Sequence, residues 1–152
     1  MAEESLPLEV LVHIRDVGDR SFREQEWAGT KGESRRLEGF QIRILPPVPD
    51  LGLRYRAHVQ GIGDTDWKYS YCEQTVDAIR GCAYAGTRGE SRRVEGFQIE
   101  CTGTARDNYT VVYQAHVDGL GDIGPLRDGE FCGTRGESRR IEAIRVRVTP
   151  RG

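Results

Sequence analysis

Hydrophobic and polar positions alternate along this chain in two kinds of segment, and each kind occurs three times. From Leu8, LEVLVHIRDVGD sets Val10, Val12 and Ile14 against Glu9, Leu11 and His13. From Leu53, LRYRAHVQGIGD sets Tyr55, Ala57 and Val59 against Arg54, Arg56 and His58, and VVYQAHVDGLGD from Val111 repeats the plan. A period of two predicts a half-buried strand running into a loop at Gly-Asp. In the second kind of segment Glu38, Phe40, Ile42 and Ile44 face one way, and Leu37, Gly39, Gln41 and Arg43 the other. The buried sets of the other copies are Glu95, Phe97, Ile99, Cys101 and Glu142, Ile144, Val146, Val148. No stretch holds a helical period, although TVDAIR in the second repeat has room for one turn.

Each second segment closes a longer block. The block reads GTKGESRRLEGFQI from Gly29, GTRGESRRVEGFQI from Gly86 and GTRGESRRIEAIRV from Gly133. Recurrence of this kind marks a repeat architecture. It divides one domain, residues 1–152, into repeats at about 8–47, 52–103 and 109–149. One repeat alone leaves an apolar face bare, and three can close around a shared core. The expected fold is therefore all-β with three-fold pseudo-symmetry. A β-trefoil fits a strand, hairpin and strand in about fifty residues slightly better than a β-prism does. Residues 46–50, rich in proline, cannot be a central strand. Residues 102–108 are polar and are expected to turn a hairpin.

Composition narrows the function. The chain is 37% hydrophobic and 30% charged, the profile of a soluble globular domain. A net charge of −2 leaves no large basic field for nucleic acid. No apolar run reaches membrane-spanning length, so no membrane insertion is expected. The N-terminus shows no signal peptide, which predicts a chain that is cytoplasmic or exported by another route. Lys31 and Lys68 are the only lysines among 22 basic residues. Arginine suits the paired glutamates, because its planar fork holds a carboxylate through two bonds. Arg36, Arg93 and Arg140 are accordingly expected to pair with Glu38, Glu95 and Glu142. Cys101 and Cys132 read as small core residues. Cys72 and Cys82 lie in an insertion peculiar to the second repeat, where they could form a local disulfide. Their spacing fits no standard zinc pattern, and no metal or cofactor is expected.

A family resemblance rests on these residues. The run Tyr-x-Ala-His-Val-x-x-x-Gly, then an aromatic, then Gly-Thr-x-Gly-x-Ser-x-Arg-x-Glu, resembles the clostridial hydrophobic-tryptophan (ChW) repeat in three copies. It is clearest at Tyr55, Ala57, His58, Val59, Gly63, Gly86, Thr87, Gly89, Arg93 and Glu95 and their third-copy counterparts. The resemblance implies an adhesive or lectin-like role in binding polysaccharide or other cell-surface ligands. One departure stands out. Where such repeats carry Gly-Trp after the first strand, this chain has Gly18-Asp19, Gly63-Asp64 and Gly121-Asp122.

Three equivalent histidines, His13, His58 and His116, match poorly with a catalytic site, which gathers different roles once. Hydrolysis at one divergent site in the insertion is the weaker enzymatic reading. Neither an elbow serine, a P-loop nor a His-Glu-x-x-His motif is present. The expected protein is a non-enzymatic, multivalent binder of glycans or polysaccharide with up to three equivalent shallow sugar sites. Asp19, Asp64 and Asp122 would accept from hydroxyls. Glu33, Glu90 and Glu137 with Arg35, Arg92 and Arg139 would supply further acceptors and donors, and Trp27, Tyr84 and Phe131 would stack. The alternative is a protein-interaction or structural cell-surface module whose charged turns join the subunits of a homo-oligomer.

Overall fold

The computed structural model describes residues 5–70 and 83–151. The suggested turn at TVDAIR and the Cys72–Cys82 pair lie outside them. The first repeat contains β1 (Leu8–Ile14), β2 (Gly18–Arg23), β3 (Ala28–Gly29) and β4 (Leu37–Ile44). The second contains β5 (Gly52–Val59), β6 (Gly63–Asp64), β7 (Lys68–Tyr69), β8 (Ala85–Gly86) and β9 (Val94–Thr102). The third contains β10 (Tyr109–Val117), β11 (Gly121–Arg127), β12 (Cys132–Gly133) and β13 (Ile141–Pro150), preceded by a single 3₁₀ turn at Arg106–Asn108.

These strands make three antiparallel sheets, and each sheet borrows from the next repeat. The first runs β2-β1-β4-β8, the second β6-β5-β9-β12 with β7 also on β5, and the third β11-β10-β13-β3. So β8 of repeat two completes the sheet of repeat one, β12 of repeat three completes that of repeat two, and β3 of repeat one completes that of repeat three. The exchange closes a ring of three repeats. The fold is all-β, and the three sheets do not join into one closed barrel among the described residues. Residues 102–108 do not turn a hairpin as expected. β9 pairs with β5 and β12, and β10 with β11 and β13, so this linker carries the chain from one sheet to another.

The alternating faces meet in one core. Phe40 and Phe97 lie 5.6 Å apart between ring centres; Tyr55 packs 5.2 Å from Phe40, and Tyr113 5.3 Å from Phe97. Burying each such ring stabilises the fold by about 2–3 kcal/mol. The Tyr55 hydroxyl is not left bare. It donates to the Ala83 carbonyl at 2.6 Å and accepts from the Ile42 amide at 3.1 Å, which ties the first sheet to the second. Burial pushes this phenol well above the usual tyrosine range. The Cys132 thiol is also buried, and burial raises it to about 12, as it does Cys101. Neither is a thiolate at neutral pH, in keeping with their expected place as apolar filling.

One break in the alternation recurs at the same place in every repeat. The ladder slips between His13 and Ile14, between His58 and Val59, and between His116 and Val117. Leu37 then lies opposite Ile14 and Gly39 opposite His13, so Glu38 is the extra residue of a β-bulge. Leu37, Val94 and Ile141 enter the core instead of facing outward as period two expected. The bulge also frees the Glu38 carbonyl, which accepts the Thr87 amide of the next repeat at 2.8 Å. Glu95 does the same for Thr134 at 2.9 Å, and Glu142 for Thr30 at 3.1 Å.

Candidate functional site

The bulge builds a composite cluster on each seam between repeats. On the first seam the buried Glu38 carboxylate accepts from Arg36 at 2.9 Å. The equivalent distances are 2.7 Å for Arg93–Glu95 and 2.8 Å for Arg140–Glu142. The expected ion pairs are therefore present in all three copies. Beside them His13 stands between two carboxylates. Its Nδ1 lies 2.7 Å from Asp19, and its Nε2 lies 3.4 Å from Glu38. His58 and His116 repeat this with Asp64 and Glu95, and with Asp122 and Glu142. Because the two acids sit at opposite ring nitrogens, they do not converge on one point where a metal could bind both with the histidine.

The next repeat completes each cluster with a cation and an aromatic ring. Arg88 holds Asp19 through two bonds, at 3.0 and 3.3 Å. Arg135 reaches Asp64 at 2.8 Å, and Lys31 reaches Asp122 at 3.1 Å. Each cation also covers a ring of its own repeat. Arg88 lies 3.8 Å from the centre of Tyr84, Arg135 4.0 Å from Phe131, and Lys31 4.2 Å from Trp27. Tyr84 packs against Gly39 and Phe131 against Gly96, where a Cβ on the glycine would overlap the ring. These rings are thus held between a glycine of the sheet and a guanidinium.

The expected site residues fall into two groups. Asp19, Asp64 and Asp122 meet Tyr84, Phe131 and Trp27 respectively through the cations described. Glu33, Glu90 and Glu137 instead pair with Arg35, Arg92 and Arg139 of their own turns, at 3.6, 3.3 and 3.0 Å. These arginines donate to the hairpin-turn carbonyls of Arg15, Gln60 and Asp118. Arg92 and Arg139 lie directly over Gly61 and Gly119, leaving no space for a Cβ there. They clamp the β5–β6 and β10–β11 turns. Each loop therefore starts at its neighbour's aspartate and ends on its own hairpin, linking adjacent seams. Lys31, Arg88 and Arg135 are not legible as site residues along the chain, because the third position of Gly-Thr-x-Gly reads as variable. The available signal was that it is basic in every copy.

Charge sets the aspartates' ionisation. Burial alone would raise the Asp19 carboxyl, but bonds from His13 and Arg88 outweigh it and hold it below the ordinary carboxylate value. Asp64 is lowered in the same way, against burial, by Arg135 and His58. For Asp122 the bond from His116 is the largest influence, and Lys31 adds to the lowering. A lowered folded-state pKa stabilises above the unfolded value and is lost as pH falls through the folded one. Thermal melts should therefore stay level down to about pH 4 and then decline more steeply in the wild type than in Asp19→Asn/Asp64→Asn/Asp122→Asn. Parallel declines would deny the seams a part in acid stability.

The chain is thus an all-β ring of three repeats with one polar cluster on each seam. The ChW (Clostridial hydrophobic W) family model matches residues 13–46, 76–103 and 116–150, more than half of the chain. The protein belongs to this family, in three copies. No curated protein and no solved structure matches it. Among the described residues no helix is long and apolar enough to cross a membrane.

Proposed function

We propose that this protein is a non-enzymatic, multivalent binder of cell-surface polysaccharide, with one shallow sugar site on each seam. The observation that carries the reading is the threefold recurrence of an exposed acceptor and donor, Asp19 with Arg88, Asp64 with Arg135 and Asp122 with Lys31, each supplied by two different repeats. A carboxylate beside a cation matches neighbouring sugar hydroxyls, one donating and one accepting. The covered faces of Tyr84, Phe131 and Trp27 give the rings the task of positioning the cation, so polar contacts carry this site more than stacking does. Three weak sites on one rigid ring gain strength by engaging one surface together. For the fold type, three separate sheets favour the prism arrangement over the trefoil, whose strands close one barrel. The second reading, a module that joins protein subunits, draws on the turns at Glu33–Arg35, Glu90–Arg92 and Glu137–Arg139, which are exposed and charged.

Glycan-bead retention tests the sugar reading. Asp19→Asn, Asp64→Asn and Asp122→Asn should each lower retention steeply while leaving monosaccharide affinity per intact site unchanged, and the triple variant should not be retained. A folded triple variant held as well as wild type would remove the sugar from the seams. If wild type binds no glycan and forms a concentration-dependent oligomer, the subunit-joining reading replaces it.

A further inference from the structure

The outer face of the third sheet departs from the other two. On the first sheet Arg43 lies opposite Glu9 and bonds it at 2.9 Å. On the second, the same two places hold Glu100 and Arg54, bonded in the reverse sense. On the third, Arg147 lies opposite Val112, and Arg127 follows on Val112's other side. One row along, Arg145 faces Gln114, and its Nε donates to the Gln25 carbonyl at 2.7 Å. Among the described residues, Arg127, Arg145 and Arg147 have no carboxylate partner. The Arg147 Nε is also shielded from solvent and has no acceptor. An unpaired buried donor of this kind is costly and calls for an explanation.

Arg145 and Arg147, with Gln25, Gln114 and Pro125, line a cleft of about 170 Å³. This is well below the ~300 Å³ where pockets for drug-sized ligands begin, so it suits one charged group rather than an oligosaccharide. Two guanidinium forks with no carboxylate partner among the described residues, backed by the field of Arg127, specify an oxyanion. We propose that this cleft binds the carboxylate of an acidic sugar residue, making the third repeat the one that selects acidic polysaccharide. The inference rests on the polysaccharide reading but on a different face from the seams, so the two can fail separately.

The test is calorimetric titration with an oligogalacturonate, its methyl-esterified neutral form and inorganic phosphate. Wild type should prefer the acidic oligomer to the ester by about tenfold. Arg147→Gln and Arg145→Gln should erase that preference, whereas Arg43→Gln, whose native arginine already has Glu9, should keep it. Val112→Glu supplies the partner that Glu9 gives the first sheet, so it should abolish the preference without lowering the melting temperature. That variant keeps the test valid if Arg147→Gln does not fold. The triple seam variant should lose retention on beads and still prefer the acid over the ester. Equal binding of both oligomers by wild type, or a preference that survives Arg147→Gln or Val112→Glu, overturns the proposal. Tighter binding of inorganic phosphate than of oligogalacturonate assigns the cleft to free phosphate and overturns the sugar assignment.

Discussion

Gly29→Ala should destabilise the protein by roughly 3 kcal/mol or more, by opening the ring between its first and last repeats. Gly29 belongs to the two-residue strand β3, which repeat one inserts beside β13 of repeat three. Its φ of +124° is a region that L side chains rarely adopt. A Cβ there would overlap the Glu142 carbonyl oxygen and come within 3.0 Å of the Ala143 Cα. Those neighbours are main chain and cannot swing away. Gly18 supplies the control. Its φ is +94°, but a Cβ would meet nothing within 4 Å, so Gly18→Ala carries the backbone strain alone, about 1–3 kcal/mol. Urea melts of the two variants separate these contributions. Equal losses would mean that the close approach of β3 to β13 contributes nothing to closing the ring.

Glu95→Ala should cost roughly 2–4 kcal/mol, because it strands Arg93 in a largely buried place. Glu95 is 6% exposed, and Glu38 and Glu142 are 5% and 3%. The carboxylate accepts from Arg93 at 2.7 Å, and His58 lies 3.8 Å from its other oxygen. Glu95→Gln keeps the shape and loses the charge, so a smaller loss is expected. Arg93→Ala leaves the carboxylate unpaired and should also destabilise. The double variant should lose less than the two single losses added together, since neither charge is then alone. Melts of the singles that match wild type would reduce the pair to surface decoration.

Much of this was legible in the residues. Tyr55, Ala57 and Val59 fall on alternate positions, and each reaches the core. Arg93 and Glu95 stand two residues apart in an apolar row, which already called for a pair. Three features leave no trace in period and local spacing. Leu37, Val94 and Ile141 read as outward-facing because a bulge leaves no mark in an alternating pattern. Lys31, Arg88 and Arg135 show no partner along the chain because Asp122, Asp19 and Asp64 belong to neighbouring repeats far away in sequence. Arg35, Arg92 and Arg139 read as ligand donors because no neighbour in sequence accounts for them. The hairpin carbonyls that use them are reached only after the chain folds back.

What the sequence by itself determined is the repeat, the strands, the inward rows and the acid–base pairs within a block. All of these depend on side chains a few positions apart, where period and spacing fix who meets whom. Tertiary structure alone decided the exchange of β3, β8 and β12 between sheets, the seam clusters joining two repeats, and the Arg145–Arg147 cleft. The reason is the same in each case. Strand pairing is specified by backbone groups that every residue carries alike, so a two-residue strand such as β3 announces no partner. An unpaired arginine becomes visible only when the residue across the ladder is known, and across from Arg147 that residue is Val112.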